Sequence, residues 1–257
     1  MFREAALPSR QGLADGALLV LDIDGVLIDA QRSFHEAVAR ALRDLAPGLP
    51  WGDHYFQAFK RLGGYNNDFR LAAAALAVEE AGAGGDGWWP DPGRLASLED
   101  RIQDLEPRAQ AQVQRHYAQT KSMERPTVGR MDLLEVPAQL AILTGRPPEE
   151  LDLAFEVLGF ALPAVSDSAP RFRKPEPAGL LLLAERFGAK RVVFVGDTPD
   201  DAACLRAARQ AQPGLSWTFA GVGPDRTRFL TPGDLQAEDL PQLLPILKDF
   251  RFWSDDR

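Results

Sequence analysis

The chain has 257 residues, 45% of them hydrophobic, and a formal net charge of −8. This composition indicates a globular protein with one large domain, or a core domain with an insertion, and excludes a disordered or fibrous chain. The negative charge argues against a broad nucleic-acid-binding surface. It does not exclude a small anionic substrate, because a metal ion and a few cations can override the global charge locally.

Two absences in the sequence limit the possible functions further. Cys204 is the single cysteine, so the chain has neither an intramolecular disulfide nor a metal site built from cysteines. No apolar run approaches the length of a membrane span, and the first residues lack the apolar core of a signal peptide. We therefore expect a cytoplasmic protein that does not associate with membranes.

The first predicted element is a buried strand that leads into Asp22, Asp24 and Gly25. If the strand continued through both acids, their side chains would lie on one face, and Gly25 would permit a sharp turn. Adjacent carboxylates repel unless a cation or a shared proton lies between them. The Asp-x-Asp-Gly pattern fits a site in which one carboxylate is a nucleophile, the other carries a proton, and Mg2+ lies between them. The same pattern also occurs in ordinary turns and in calcium-binding loops.

The next segment is predicted to be helical. Apolar periodicity predicts helices over 33–45, 55–62, 69–80 and 95–117, with the last interrupted near Pro107. The glycine-rich run 81–87 predicts a loop within this block.

From residue 126 onward, strands and helices alternate. Strands are predicted over 138–143, 192–196 and 217–221, and helices over 149–158, 178–187, 201–211 and 240–248. This alternation predicts a parallel sheet covered by helices on both faces. We therefore predict an α/β fold with a Rossmann-like three-layer core from residues 1–30 and 126–257, and an inserted all-helical domain from 31–125.

Four polar clusters follow predicted core segments. They are the Asp22–Asp24 pair, Thr144-Gly145-Arg146, the loop around Lys174, and the run from Asp197 to Asp201. Ligands of open α/β sheets bind at the carboxyl ends of the strands, so these clusters can converge on one site. Carboxylates for Mg2+, a hydroxyl beside a backbone N–H, and a lysine are the groups that a transferring phosphoryl group needs.

This combination, in this order, resembles the haloacid dehalogenase superfamily of aspartate-nucleophile phosphatases. The helical block resembles the cap that phosphoglycolate phosphatase-like members carry after the first strand. The resemblance implies that Asp22 attacks phosphorus and forms an aspartyl-phosphate, while one of its oxygens binds Mg2+. It implies that Asp24 protonates the leaving oxygen, activates the hydrolytic water and binds the metal through its backbone carbonyl.

The resemblance assigns roles to five more residues. Thr144 and the Gly145 amide would hold phosphoryl oxygens, Lys174 would offset negative charge, and Asp197 would be the remaining carboxylate ligand of Mg2+. Asp201 would orient Lys174 or metal-bound water from behind the ligands.

Each of these roles has a structural alternative. Thr144 could cap the following helix, and Lys174 could be an exposed loop lysine. Asp200 competes with Asp201 for the supporting role, and Thr198 could cap the next helix.

The substrate-binding groups are predicted from two places. Tyr65, Asn66, Asn67 and Asp68 lie in a loop between predicted helices and are candidates for substrate recognition, or alternatively form a turn that caps 69–80. Arg146 is a candidate for a second anionic group of the substrate. The Gly-Arg after Thr144 departs from the Asn-Lys of phosphoglycolate phosphatase-like relatives, which puts a glycolate-phosphate substrate in doubt.

The resemblance implies a Mg2+-dependent phosphomonoester hydrolase for a small phosphorylated metabolite, with no nucleic-acid partner. The sequence indicates no particular oligomeric state. A phosphomutase, a phosphonate hydrolase that uses Lys60 or Lys121 for a Schiff base, and a non-catalytic regulatory protein are alternatives. The superfamily's dehalogenases have no acid two residues after the nucleophile, so Asp24 argues against dehalogenation.

Overall fold

The computed structural model describes residues 2–5, 12–82, 84, 88–167 and 169–254. The chain divides into two compact units. The core unit consists of Met1–Asp29 and Arg125–Arg257, and the helical unit consists of Ala30–Glu124. The loop predicted over 81–87 includes positions 83 and 85–87, which lie outside the described residues.

Within the described residues, the core unit contains a seven-stranded sheet in the order β1-β6-β5-β2-β7-β8-β9. β1 is antiparallel to β6, and the other neighbours pair in parallel. A separate antiparallel pair, β3–β4, lies where the chain leaves and re-enters this unit. The strands are β1 (Phe2–Arg3), β2 (Ala17–Leu21), β3 (Ile28–Asp29), β4 (Arg125–Pro126), β5 (Gln139–Thr144), β6 (Ala164–Ser166), β7 (Arg191–Gly196), β8 (Ser216–Gly221) and β9 (Leu235–Gln236).

The helical unit is built around one apolar helix. Its helices are α1 (Glu36–Leu45), α2 (Asp53–Leu62), α3 (Asp68–Glu80), α4 (Pro92–Ser97) and α5 (Glu99–Thr120). Every residue of α3 from 71 to 78 is buried, and α3 packs against both α1 and α5. A helix that is apolar on all sides is stable in water only when neighbours cover it, which explains its central position.

Two helical layers cover the sheet of the core unit. Its helices are α6 (Arg130–Leu134), α7 (Pro148–Leu158), α8 (Ala178–Arg186), α9 (Pro199–Ala211), α10 (Leu240–Lys248) and α11 (Phe250–Trp253). Because side chains alternate along a strand, Leu19 and Leu21 of β2 pack with α7 and α10, whereas Leu18 and Val20 pack with α8 and α9. The prediction of a three-layer α/β fold with a mainly parallel sheet is therefore confirmed.

The strands and helices predicted after residue 126 are all present, with ends within two residues of the predicted ones. Five short strands, β1, β3, β4, β6 and β9, were not predicted, and neither were α6 and α11. Segments of two to five residues are too short to show a hydrophobic period.

One condition named in the sequence analysis is not met, and one prediction is wrong in detail. The first strand ends at Leu21, so Asp22 and Asp24 do not share one face of a strand; Asp24 instead lies in a turn that Gly25 closes by donating its N–H to Ile28 O (2.9 Å). The predicted helix 95–117 breaks at Leu98 and not at Pro107, because α5 continues through the proline. Its buried stripe extends to both sides of Pro107, and this packing outweighs the unfavourable propensity of the proline.

No helix in the described part of the chain is both long and apolar enough to cross a lipid bilayer.

Candidate active site

The predicted core-site residues meet at the carboxyl ends of three neighbouring strands. β2 pairs in parallel with β5 on one side and with β7 on the other, with Leu21 opposite Ile142 and Val195. Asp22 directly follows β2, and its backbone N–H continues the ladder by donating to Val195 O (3.0 Å). The ends of all three strands therefore place their polar residues along one edge of the sheet.

Lys174 forms a buried ion-pair cluster with two of the predicted carboxylates. Its Nζ lies 2.8 Å from Asp22 Oδ2 and 2.6 Å from Asp201 Oδ1. The Lys174 side chain is only 2% exposed, so it is not an exposed loop lysine. Two carboxylates and one ammonium leave one excess negative charge in an environment that disfavours charge.

This charge balance shifts the pKa values of the cluster. Burial raises the pKa of Asp22 to about 7, the ammonium of Lys174 opposes that shift, and the carboxylates of Asp201 and Asp24 add to it. Burial lowers the pKa of Lys174, but the carboxylates of Asp201 and Asp22 outweigh burial, so the pKa of Lys174 lies above its ordinary value. The site therefore favours an additional proton or cation next to Asp22.

Asp201 supports the cluster from the first turn of α9. Its Oδ2 accepts hydrogen bonds from Thr198 N (3.0 Å), Thr198 Oγ1 (2.6 Å) and Asp197 N (3.2 Å), while its Oδ1 pairs with Lys174. Thr198 caps α9, as one alternative predicted. The ion pair with Lys174 is made by Asp201, so the competing assignment of that contact to Asp200 is not observed.

The carboxylates could hold a divalent metal ion. One oxygen from each of Asp22, Asp197 and Asp201 lies within 4.8 Å of the others. Carboxylate oxygens are the ligands that Mg2+ prefers. Asp201 accepts three hydrogen bonds through Oδ2 and pairs with Lys174 through Oδ1, whereas Asp22 Oδ1 accepts one hydrogen bond, from Ile23 N (2.8 Å). Asp22 and Asp197 are therefore the better candidates for side-chain ligands. Gly25 (φ +74°) permits this arrangement, because a Cβ at that position would collide with Asp197 Oδ2.

Thr144 lies at the end of β5, 1% exposed, and its Oγ1 accepts a hydrogen bond from Arg146 N (3.1 Å). It does not cap the following helix, because the N-cap position of α7 is Pro147. Gly145 is exposed between Thr144 and Arg146.

Arg146 lies against Asp24. Its Nη2 is 2.7 Å from Asp24 Oδ1, and its Nε is 3.0 Å from Oδ2 and 3.2 Å from Oδ1. The sequence makes Arg146 a candidate for binding a second anionic group of the substrate. In the structure its side chain is 2% exposed and binds a carboxylate of the protein itself. A buried guanidinium requires a counter-charge, and Asp24 provides one.

The four predicted substrate-binding residues of the helical unit hold their own loop together. Lys60 Nζ lies 2.6 Å from Asn66 O and 2.7 Å from Asp68 Oδ1. Asn67 caps α3: its Oδ1 accepts hydrogen bonds from Phe69 N (2.9 Å) and Arg70 N (3.1 Å). Tyr65 packs edge-on against Phe59. These contacts match the alternative of a capping turn, and a role in substrate recognition stays a prediction.

We expect Asn67→Ala to lower the free energy of unfolding by about 1 kcal/mol, because two N–H groups at the start of α3 lose their acceptor. Asn67→Asp keeps an acceptor and should be close to wild type. Urea unfolding followed by circular dichroism measures the difference. Asn66→Ala is the matched control, since the Asn66 side chain contacts Lys60 at the long distance of 3.5 Å and caps no helix in the described part of the chain. Equal stabilities for Asn67→Ala and wild type would contradict the capping role.

Cys204 is buried in α9, and its Sγ donates to Glu176 O (3.3 Å). Burial raises the pKa of its thiol to about 12, so it stays protonated at neutral pH. This is the environment of a packing residue and not of a nucleophile.

Several solved structures resemble this chain in fold. No curated protein matches the chain by sequence. Among solved structures, a predicted phosphoglycolate phosphatase from Haemophilus somnus 129pt is 19% identical, with a TM-score of 0.61, over 90% of this chain and 97% of that one. A hydrolase from Pseudomonas syringae is 21% identical, with a TM-score of 0.59, over 91% and 98% of the two chains. A phosphatase from Thermococcus thioreducens is 20% identical, with a TM-score of 0.59, over 90% and 99%.

At these identities the structural matches establish similarity of fold. The sequence also matches the family model of haloacid dehalogenase-like hydrolases over residues 17–209, which is well over half of the chain and includes all four polar clusters. The chain therefore belongs to the haloacid dehalogenase-like hydrolase family.

Proposed function

We propose that this hydrolase is a cytoplasmic phosphatase that removes the phosphoryl group from a small phosphorylated metabolite, with Mg2+ as cofactor. The observation that carries the proposal is the buried Asp22–Lys174–Asp201 cluster, which lies at the same sheet edge as Asp24 and Thr144. A carboxylate beside an ammonium, a hydroxyl and a second carboxylate is a set of groups suited to phosphoryl transfer.

The proposed reaction has two steps. A carboxylate oxygen of Asp22 attacks phosphorus, the bond from phosphorus to the leaving oxygen breaks, and protonated Asp24 gives its proton to that oxygen. The aspartyl-phosphate on Asp22 is then attacked by water, and ionised Asp24 takes a proton from that water. Phosphate leaves, and both carboxyl groups return to their starting states. General acid–base catalysis of this kind typically contributes about 10²–10⁴-fold.

The other residues bind and orient the transferring group. Lys174 offsets the negative charge of the nucleophile and of the phosphoryl oxygens, and Asp201 holds Lys174 in place. Thr144 Oγ1 and the Gly145 amide are proposed to bind phosphoryl oxygens.

The side chains of Asp22 and Asp197 and the backbone carbonyl of Asp24 would hold Mg2+. The bound ion supplies positive charge that offsets the charge of the nucleophile and of the phosphoryl group. The raised pKa of Asp22 fits this assignment, because a nucleophile with a pKa of about 7 is partly protonated at neutral pH and a nearby cation favours its ionised form.

Asp24 favours phosphate chemistry over dehalogenation, because a departing halide needs no proton.

We assign the helical unit the role of a cap, and its candidates for substrate recognition are Tyr65, Asn66, Asn67 and Asp68. The predicted phosphoglycolate phosphatase among the structural matches keeps small phosphorylated acids on the list of substrates. For a Schiff-base reaction, Lys60 would have to leave its ion pair with Asp68 to become nucleophilic.

The test is a phosphate-release assay on p-nitrophenyl phosphate and a panel of small phosphorylated metabolites, with Mg2+ or with EDTA. We expect phosphate release in Mg2+, no release in EDTA, and one preferred metabolite.

Asp197→Asn should raise the Mg2+ concentration for half-maximal activity by about 10-fold or more, because a metal ligand loses its charge. Asp200→Asn, a neighbouring acid outside the carboxylate group, is the control. Full activity in EDTA would contradict the metal assignment, and silence across the panel would contradict the phosphatase assignment.

A further inference from the structure

We propose that Arg146 is the positioning residue for Asp24: its guanidinium holds the carboxylate in the orientation from which it transfers protons. This inference rests on the proposed function, since Asp24 is the proton carrier of that reaction. It replaces the sequence-based expectation that Arg146 binds the substrate.

The backbone of Arg146 is fixed by the ends of two strands. Its N–H donates to Thr144 Oγ1 at the end of β5 (3.1 Å), and its carbonyl accepts from Asp167 N directly after β6 (3.2 Å). With its side chain 2% exposed, the guanidinium starts from an anchored backbone and is enclosed by protein. Such an arginine acts as a rigid support.

The contact with Asp24 determines the direction of the carboxylate. Nε and Nη2 together contact both oxygens at 2.7–3.2 Å, a two-point contact that fixes the rotation of the carboxylate plane as well as its distance. Each carboxylate oxygen has a further lone pair, and the Asp24 side chain remains 38% exposed. The guanidinium thus contacts both oxygens of the carboxylate, while the solvent-exposed part of the side chain can take part in proton transfer.

The same geometry argues against direct substrate recognition by Arg146. A substrate anion would have to enter a nearly solvent-free space and displace Asp24 from a short, two-point ion pair. Asp24 would then lose its support at the stage when it must face the leaving oxygen. Binding of Asp24 by Arg146 keeps the acid positioned before the substrate arrives.

Dependence on the leaving group tests this role. A phosphate ester of a simple alcohol needs a proton on its leaving oxygen, whereas p-nitrophenolate leaves without one. We therefore expect Arg146→Gln to lower kcat/KM by about 10²-fold for an alkyl phosphate. For p-nitrophenyl phosphate, which needs no acid before the first irreversible step, the loss should be at least about 10-fold smaller. Arg146→Lys keeps a charge but not the two-point contact, and should give the same pattern with smaller losses.

A double-mutant cycle separates positioning from general support of the site. If Arg146 acts through Asp24, adding Arg146→Gln to Asp24→Asn should change kcat/KM for the alkyl phosphate by less than about twofold. An independent structural role would give the full additional loss. Mg2+ affinity, measured by calorimetry without substrate, should be unchanged in Arg146→Lys, and its thermal unfolding should remain close to wild type.

The outcomes are distinct. Equal losses for the two leaving groups, additive losses in the cycle, or full activity of Arg146→Gln on the alkyl phosphate would each overturn the positioning role. If wild type releases no phosphate from any ester, the proposed function fails, and that result is separate from a failure of the inference about Arg146.

Discussion

Asp22→Asn is expected to reduce phosphate release by about 10⁴-fold or more, because the amide cannot form the covalent intermediate through which the proposed reaction passes. The loss should appear with alkyl and p-nitrophenyl phosphates alike, since both require the same attack on phosphorus. Release of inorganic phosphate from purified wild type and variant, at saturating Mg2+, measures it. Asp15→Asn, an exposed acid seven residues earlier, is the control and should retain activity.

The same variant should be more stable than wild type at high pH in EDTA. The folded-state pKa of Asp22 is raised from 3.8 to about 7, so the folded protein binds a proton more tightly than the unfolded chain does. The contribution of Asp22 to stability is therefore complete below about pH 4 and is lost as pH rises through about 7. The side-chain amide of the Asp22→Asn variant does not titrate in this range, so the variant keeps its stability where wild type loses it.

Thermal unfolding in EDTA at pH 5 and pH 8 tests this sign. The advantage of Asp22→Asn over wild type should be larger at pH 8, and Mg2+ should reduce it by stabilising wild type more. An inactive variant that is also unfolded would say nothing about the nucleophile. Circular dichroism therefore checks that Asp22→Asn is folded in both assays. An active, folded Asp22→Asn would exclude Asp22 as the nucleophile.

The central strands could be predicted because their composition is dictated by burial on both faces. β2 is a run of five aliphatic residues, all buried, and β7 is similar. β6 has only three residues and no such signal, although it completes one side of the sheet. The end of β2 was predicted less well, because its apolar run continues past Asp22 into a turn whose path depends on Gly25.

The site could be predicted as a set of residue types but not as a set of contacts. Asp22 and Lys174 are 152 residues apart in the chain. Only the fold places the loop before α8, which carries Lys174, next to the end of β2, so that Lys174 Nζ lies 2.8 Å from Asp22 Oδ2. The partner of Arg146 was missed, because the direction of a long side chain is set by its surroundings and leaves no signal in the spacing of residues. A polar residue two positions after Thr144 could equally have faced a ligand.

Lys174→Met is expected to destabilise the protein by about 3–5 kcal/mol at pH 8 in EDTA, as well as to abolish activity. The substitution keeps most of the side-chain volume but removes the one ammonium between two carboxylates that are 5% and 0% exposed. In the variant, the buried carboxylates of Asp22 and Asp201 have neither solvent nor the ammonium to balance their charge. Lys190→Met is the matched control, because Lys190 pairs with Asp15 at the surface, where solvent screening leaves an ion pair with little effect on stability.

The pH dependence and a second substitution identify the cause of this loss. Without the ammonium, the pKa of Asp22 in the folded state rises further above its unfolded value, so the loss of stability should be smaller at pH 5 than at pH 8. Asp22→Asn added to Lys174→Met should recover part of the stability, since it removes one of the two uncompensated charges. Mg2+ should stabilise Lys174→Met through the same charges without restoring phosphate release, because the lysine also offsets charge on the phosphoryl group. A loss of stability equal to that of Lys190→Met, or one independent of pH, would show that the buried charges are not what Lys174 balances.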